Sequence, residues 1–303
     1  MWITKTRSRV AEVGVNGWTR QPPGPPGATP MSGAGEVFAG VFGRHAAAYR
    51  ERLEDAMARG EAESRARVLE LLTVRAGQRV LDLGCGPGTL TAPLAAAAGP
   101  EGLTLGVDLT QGMLELARAA APPWARLARM DMQRLALASG TFDAVAAGHA
   151  LPFCADLPAA LTEVRRVLVP GGRLAASLPA RVPGGQAPLE RALEGLIPVA
   201  PALPELDGTL ARLSSEAAAE SALREAGFRH VVVTTVPEVS RYRGPEDLVD
   251  RAFTWWILAW RLEALSGPER VRVREIALER LRRTVGDGPL ELTAASLVLF
   301  ARR

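Results

Sequence analysis

The run Val80-Leu-Asp-Leu-Gly-Cys-Gly-Pro-Gly-Thr-Leu90 constrains this chain more than any other stretch. Val80, Leu81 and Leu83 make a short apolar strand, and Gly84, Gly86 and Gly88 follow it at once. Glycine lacks the Cβ that would keep the backbone from folding tightly or a ligand from approaching closely. A turn of this kind at the carboxyl end of a strand is where open α/β sheets bind nucleotide-like ligands. The spacing is not that of the dinucleotide fingerprint G-x-G-x-x-G. The third glycine comes one position early and Thr89 stands in its expected place. Asp82, two residues before the first glycine, suits a cationic amino group better than a pyrophosphate.

The segments that follow extend the pattern. Gly102-Leu-Thr-Leu-Gly-Val-Asp108 reads as a second strand ending in an acid, about 20 residues past the turn, where a carboxylate meets a ribose diol. Asp108 leads into a helix with Thr110 as its N-cap. Strands are also expected at 125–130, 142–148 and 172–178, the last entered through the turn Pro170-Gly171-Gly172. Strands alternating with helical stretches imply parallel βαβ units. The ligand that the turn and its acids fit is S-adenosylmethionine.

Residues 36 to 180 resemble the class I S-adenosylmethionine-dependent methyltransferases, especially the small-molecule branch that includes the ubiquinone and menaquinone biosynthesis enzymes. The resemblance rests on four matches in order: the turn at 82–88; Asp108 with Thr110, Met113, Leu114, Ala117 and Arg118; Asp131 with Leu135; and Glu163 with Arg166-Val-Leu168 and Pro170-Gly-Gly172. It implies an α/β fold: a Rossmann-like seven-stranded, mostly parallel sheet with an antiparallel last strand, helices on both faces and helical lid insertions. It also implies roles. Asp82 would hold the methionine amino group, directly or through water, and Gly84, Cys85, Gly86 and Gly88 would line the methionine. Asp108 would bind the ribose diol. Asp131 and the Met132 backbone would read the adenine, Leu109 and Met113 would sandwich it, and the Gly148 carbonyl would face the methionine. Two departures, Ala136-Leu137 and Val169, bear on substrate fit more than on the cofactor.

The composition fits a soluble protein: 48% of residues are hydrophobic and 23% charged. No apolar run approaches the ~20 residues of a membrane span. Two cysteines, Cys85 and Cys154, give no disulfide framework, and three well-separated histidines give no metal cluster. A reducing cytoplasm is the expected compartment, and a monomer or homodimer the expected state. Nucleic acid is not an expected partner. Arg270, Arg272, Arg274, Arg280, Arg282 and Arg283 alternate with Glu269, Glu275 and Glu279, as on a solvated helix face.

Four further segments complete the reading. Residues 1–35 form an N-terminal extension, proline-rich over 20–30, that is expected to be disordered, and Met31 reads as an ordinary start for such a chain. The core spans 36–240 with a variable segment at 180–215. Residues 37–49 resemble the family's N-terminal helix, with Phe42 and Tyr49 two turns apart on one face, and Tyr49 is a candidate contact to the methionine carboxylate. Residues 241–287 read as a helical lid inserted between a sixth strand at 230–236 and a last strand within 288–303. In the lid, Phe253, Trp256, Ile257, Trp260 and Ala264 fall on one helical face.

An aromatic, apolar stripe suits a lipophilic or aromatic small-molecule acceptor, and Phe153, Tyr242, Trp256 and Trp260 are candidate contacts. In-line displacement from the sulfonium needs little beyond alignment. A general base matters where the acceptor is a phenol, an alcohol or an acidic carbon. His149, just past the fourth strand, is the first candidate and Tyr242 the second. The alternatives are an RNA or protein methyltransferase using the arginine-rich helix, and a protein that binds S-adenosylmethionine without catalysis.

Overall fold

A computed structural model describes residues 33–180 and 187–303. The expectation of disorder over 1–30 lies outside these residues. Ala34 and Gly35, assigned to the extension from sequence, instead begin helix α1 (Ala34–Ala58), where Ala34 is buried. Helix α2 (Glu63–Leu72) follows, then β1 (Arg79–Leu83), α3 (Thr91–Ala98), β2 (Leu103–Asp108), α4 (Gln111–Ala120) and β3 (Arg126–Arg129). Next come β4 (Phe142–Gly148), α5 (Leu157–Val167) and β5 (Leu168–Ala180). The variable segment holds α6 (Ala187–Leu193) and α7 (Asp207–Arg212) and leads into α8 (Glu216–Glu225) and β6 (Arg229–Tyr242). Helices α9 (Pro245–Phe253), α10 (Trp256–Leu262) and α11 (Gly267–Val285) precede β7 (Leu290–Arg302).

The seven strands form one sheet in the order β3-β2-β1-β4-β5-β7-β6. The first five pair in parallel, and β7 runs antiparallel to both β5 and β6. The central strands β1 and β4 are buried on both faces, which is why they read as continuous apolar runs. Along β1 and β4 the side chains alternate between two cores. Leu81, Leu83, Val145 and Ala147 pack toward α5 and α8, whereas Val80, Ala144 and Ala146 pack toward α2 and α3.

Two strands depart from the sequence reading. Strand β5 starts at Leu168, so Pro170-Gly171-Gly172 is a bulge inside it, with Gly171 at φ +76°. Strand β6 passes through Pro237 to Tyr242 and pairs with β7 as far as Leu290. It is an edge strand, where proline costs no ladder bond on its open side.

The inserted helices sit at the tip of this long hairpin. Ser266 and Glu269 form a reciprocal capping box that starts α11. The stripe from Phe253 to Trp260 is not one helix. The chain breaks at Thr254 and Trp255, so Phe253 packs with α6 and α11 while Trp256 faces α1. Trp255 packs near Tyr49 and lies under the Arg52 guanidinium.

Candidate functional site

The carboxyl ends of β1, β2 and β4 open into one cavity beneath α1. The turn after β1 forms its floor. Gly84 has φ +64°, and a Cβ there would stand 2.4 Å from the Ala150 Cβ, so no other residue fits. Gly86 has φ +53°, and a Cβ there would meet nothing within 4 Å, because the position faces open cavity. Gly88 serves another purpose: its Cβ would lie 3.1 Å from Ala117, so its absence lets the turn pack on α4. Gly88 and the buried Cys85 are not on the cavity wall, contrary to the expectation that the whole turn lines the ligand.

Asp108 ties the turn to β2. Its Oδ2 accepts from the Gly86 N–H at 2.9 Å and its Oδ1 from the Thr110 N–H at 2.8 Å. Burial raises its pKa and these backbone donors oppose the rise. A carboxylate offers about four acceptor sites, so capacity remains for a ligand diol. Thr110 holds the N-cap position of α4 but makes no side-chain cap bond. Leu109, Met113, Asp131, Met132 and Gly148 all line the same cavity. Gln133 grips the Asp131 carboxylate through its backbone N–H at 2.9 Å and its side-chain amide at 3.1 Å.

Asp82 lies just below the floor, 1% exposed and off the cavity wall. Its Oδ2 accepts from the Thr91 hydroxyl at 2.6 Å, and its Oδ1 is buried with no hydrogen-bond partner. Burial pushes its pKa up to about 7, the Thr91 hydroxyl opposes this, and the nearby Asp108 charge adds to it. An orphaned carboxylate oxygen is costly to bury, and a cationic group arriving from the floor would relieve it.

His149 lines the cavity in a left-handed conformation, φ 58°, with its N–H bonded to the Ser177 carbonyl at 2.8 Å. Burial, and then the Arg65 charge, hold its pKa well below the usual range for histidine. Arg65 was not singled out from sequence. It is 5% exposed, its Nε lies 3.6 Å from where a Gly148 Cβ would be, and its charge acts on both Asp82 and His149. Only the fold reveals it, because α2 packs on β4 and β5 and brings it beside Gly148. Cys154 also lines the cavity, but burial pushes its thiol up to about 12, which leaves it without nucleophilic character.

The roof is aromatic. Phe38, Phe42, Tyr49 and Phe153 line the cavity, and Phe38, unremarked in the sequence, sits one turn before Phe42 on the same face. Trp256 packs behind them, 5.8 Å from Phe38, 5.3 Å from Phe42 and 5.2 Å from Phe153 between ring centroids. It and Trp260 therefore back the wall and do not line it. Tyr242 is further removed. It is buried in the core of the inserted helices under the Arg251 guanidinium, 4.3 Å from its ring centroid, and is no candidate base.

The arginines of α11 are largely engaged within the chain. Arg274 pairs with Asp250, Arg282 with Glu246 and Asp287, and Arg283 with Glu279, while Arg280 donates to the Glu194 carbonyl. Among the described residues no helix is long and apolar enough to cross a membrane, and no cluster of metal-ligating side chains occurs.

Known proteins resemble parts of this chain. Residues 81–176 match the family described as a methyltransferase domain. The chain is 41% identical over 104 residues to the demethylmenaquinone methyltransferase of Symbiobacterium thermophilum, which covers 33% of this chain and 41% of that protein. It is 42% identical over 109 residues to an uncharacterized transposon protein of Streptomyces fradiae, covering 35% of this chain and 32% of that one. The chain thus spans less than half the length of these curated relatives. The crystal structure of the YcgJ protein from Bacillus subtilis superimposes with a TM-score of 0.51 at 19% identity, over 80% of this chain and 98% of that one. At that identity the likeness speaks for the fold. Over residues 81–176 this chain is similar to methyltransferase domains.

Proposed function

We propose that the protein transfers a methyl group from S-adenosylmethionine to a small lipophilic or aromatic acceptor and releases S-adenosylhomocysteine. The observation that carries this reading is the single cavity in which the glycine turn, Asp108 and Asp131 meet at the carboxyl edge of the sheet. S-adenosylmethionine, when bound, supplies a methyl group already activated by its sulfonium charge.

The residues present fit that group. Asp108 keeps acceptor capacity for the ribose hydroxyls, and Asp131 offers an acceptor to the adenine amino group. Leu109 and Met113 supply apolar faces for the purine. The orphaned Oδ1 of Asp82 fits the methionine ammonium, directly or through water, and Gly86 leaves room for it. Arg65 and Tyr49 are the candidates for the carboxylate. Phe38, Phe42 and Phe153 form an apolar wall for the acceptor. Demethylmenaquinone, which one relative's name gives as its acceptor, belongs to the same chemical class. His149 stands on the same cavity as the candidate base.

The engaged arginines of α11 favour this reading over an RNA-binding surface. The test is incubation with methyl-labelled S-adenosylmethionine and a panel of lipophilic phenols and quinols. Label in the organic extract of one or more members supports the proposal. Label appearing only in added RNA or protein would reject the small-molecule acceptor.

A further inference from the structure

Polar side chains from α2, β6 and β7 meet behind His149. Ser64, fully buried at the start of α2, lies with its Oγ 3.1 Å from the His149 Nε2 and makes no other side-chain hydrogen bond among the described residues. Ser296 of β7, 2% exposed, donates to Glu238 Oε1 of β6 at 2.9 Å, and its Oγ stands 3.4 Å from the same imidazole nitrogen. The Ser64 N–H donates to that carboxylate oxygen at 3.2 Å.

The donors and acceptors of this cluster fix where the imidazole proton sits. A serine hydroxyl has one proton to give, a carboxylate only accepts, and a neutral imidazole has one N–H and one bare nitrogen. The Ser296 proton goes to Glu238. The Ser64 proton has one acceptor within reach, the His149 Nε2, and a buried hydroxyl left without an acceptor is costly. Nε2 is therefore the bare nitrogen, and the proton is on Nδ1. Burial and the Arg65 charge oppose a second proton on the ring. His149 is half-buried and lines the cavity, and its Nδ1 has no hydrogen-bond partner among the described residues. The ring whose place on the cavity suggests a base thus offers a ligand an N–H.

We propose that His149 donates its Nδ1–H to an oxygen of the methyl acceptor and takes no proton from it, with Ser64 as the positioning residue that keeps the proton on Nδ1. This rests on the methyltransferase reading, replaces the base in it, and narrows the acceptor to one held through an anionic oxygen: an ionised phenol or enol. Arg65, a full cation, is the stronger partner for the methionine carboxylate. That leaves the neutral donor for the acceptor, on the cavity walled by Phe38, Phe42 and Phe153. The acceptor anion's electron pair forms the bond to the methyl carbon, and the electrons of the broken C–S bond stay on sulfur. The sulfonium and oxyanion charges cancel. Where oxygen is methylated no proton moves; where a ring carbon is methylated, its proton leaves afterwards to water.

Long-range 1H–15N correlation spectra of histidine-labelled protein read the tautomer without a ligand. The chain holds three histidines, and His149→Asn assigns the relevant signal. Wild type is expected to show a neutral Nδ1–H ring at pH 7. Ser64→Ala leaves Nε2 facing the Ser296 oxygen alone and is expected to move the ratio toward Nε2–H by roughly ten-fold or more. A wild-type ring in the Nε2–H or doubly protonated form overturns the proposal, as does an unchanged ratio in Ser64→Ala.

Methyl transfer to the panel of phenols tests the donor role. Asparagine carries an amide N–H near the place of Nδ1, takes up no proton, and tolerates the left-handed backbone, φ 58°, of this position. His149→Ala is expected to lower kcat/KM roughly 100-fold and His149→Asn to recover about ten-fold of that loss. Equal losses in the two variants overturn the donor role. Titration with S-adenosylhomocysteine separates the levels. Folded wild type that binds none rejects the methyltransferase reading and leaves the tautomer result standing. Binding weakened roughly ten-fold or more in His149→Ala would put the donor on the cofactor's carboxylate and overturn its assignment to the acceptor.

Discussion

Replacing Asp82 by asparagine should stabilise the ligand-free protein and weaken ligand binding, and both effects should depend on pH. The carboxyl is raised from an ordinary 3.8 to about 7, chiefly by burial. Because the folded value lies above the unfolded one, the folded chain holds the extra proton between about pH 4 and pH 7, and stability falls as pH rises through that window. Roughly three units at 1.36 kcal/mol each set a ceiling of about 4 kcal/mol at pH 8. Asparagine keeps an oxygen to accept from Thr91 and carries no charge. Its stability advantage in urea unfolding should therefore widen by roughly 2–3 kcal/mol between pH 5 and pH 8. Binding should run the other way. If the ionised carboxylate receives the ligand's ammonium, wild-type affinity for S-adenosylhomocysteine rises about ten-fold from pH 6 to pH 8, and this rise is lost in Asp82→Asn. A stability gap that stays constant with pH, or an equal rise in affinity in the variant, would refute the reasoning.

Other perturbations test the geometry around the cavity. Gly84→Ala meets Ala150 at 2.4 Å and should cost about 1–3 kcal/mol in chemical denaturation beyond the strain of a positive φ. Gly86→Ala has room for its methyl, so it should cost only about 1 kcal/mol while weakening S-adenosylhomocysteine binding measured by calorimetry. Trp256→Ala removes the buried ring behind three cavity-lining phenylalanines and should cost about 3–5 kcal/mol in urea unfolding. Glu61 holds the buried Arg251 at 2.8 Å and caps the Arg241 N–H at 3.0 Å. Glu61→Gln should destabilise by about 3–5 kcal/mol, with little change between low and high salt, since a buried pair is poorly screened.

What the sequence made legible follows from which physics is local. Strands β1, β2 and β4 could be read almost to the residue, because a strand buried on both faces must be apolar throughout and ends at a glycine or an acid. The glycine turn was legible as a turn, but which glycine faces the ligand was not. Gly86 opens onto the cavity and Gly88 onto Ala117, a distinction that depends on where α4 packs. The break between α9 and α10 left no glycine or proline, so the period from Phe253 to Trp260 ran on through it. Strand β6 read as ending at Val236, before Pro237, because its edge position, which tolerates the proline, is a property of the whole sheet. Arg65 and the cluster of Ser64, His149, Glu238 and Ser296 join residues far apart in the chain, and no spacing rule links them.

The most direct test of the central claim is calorimetric titration of S-adenosylhomocysteine into wild type and Asp108→Ala. Asp108 fastens the turn through Gly86 and offers its remaining lone pairs to the ribose. The account predicts binding in wild type and a loss of at least ten-fold in the variant, about 1.4 kcal/mol. Folded wild-type protein that binds no S-adenosylhomocysteine, or a variant that binds it as tightly as wild type, would contradict it.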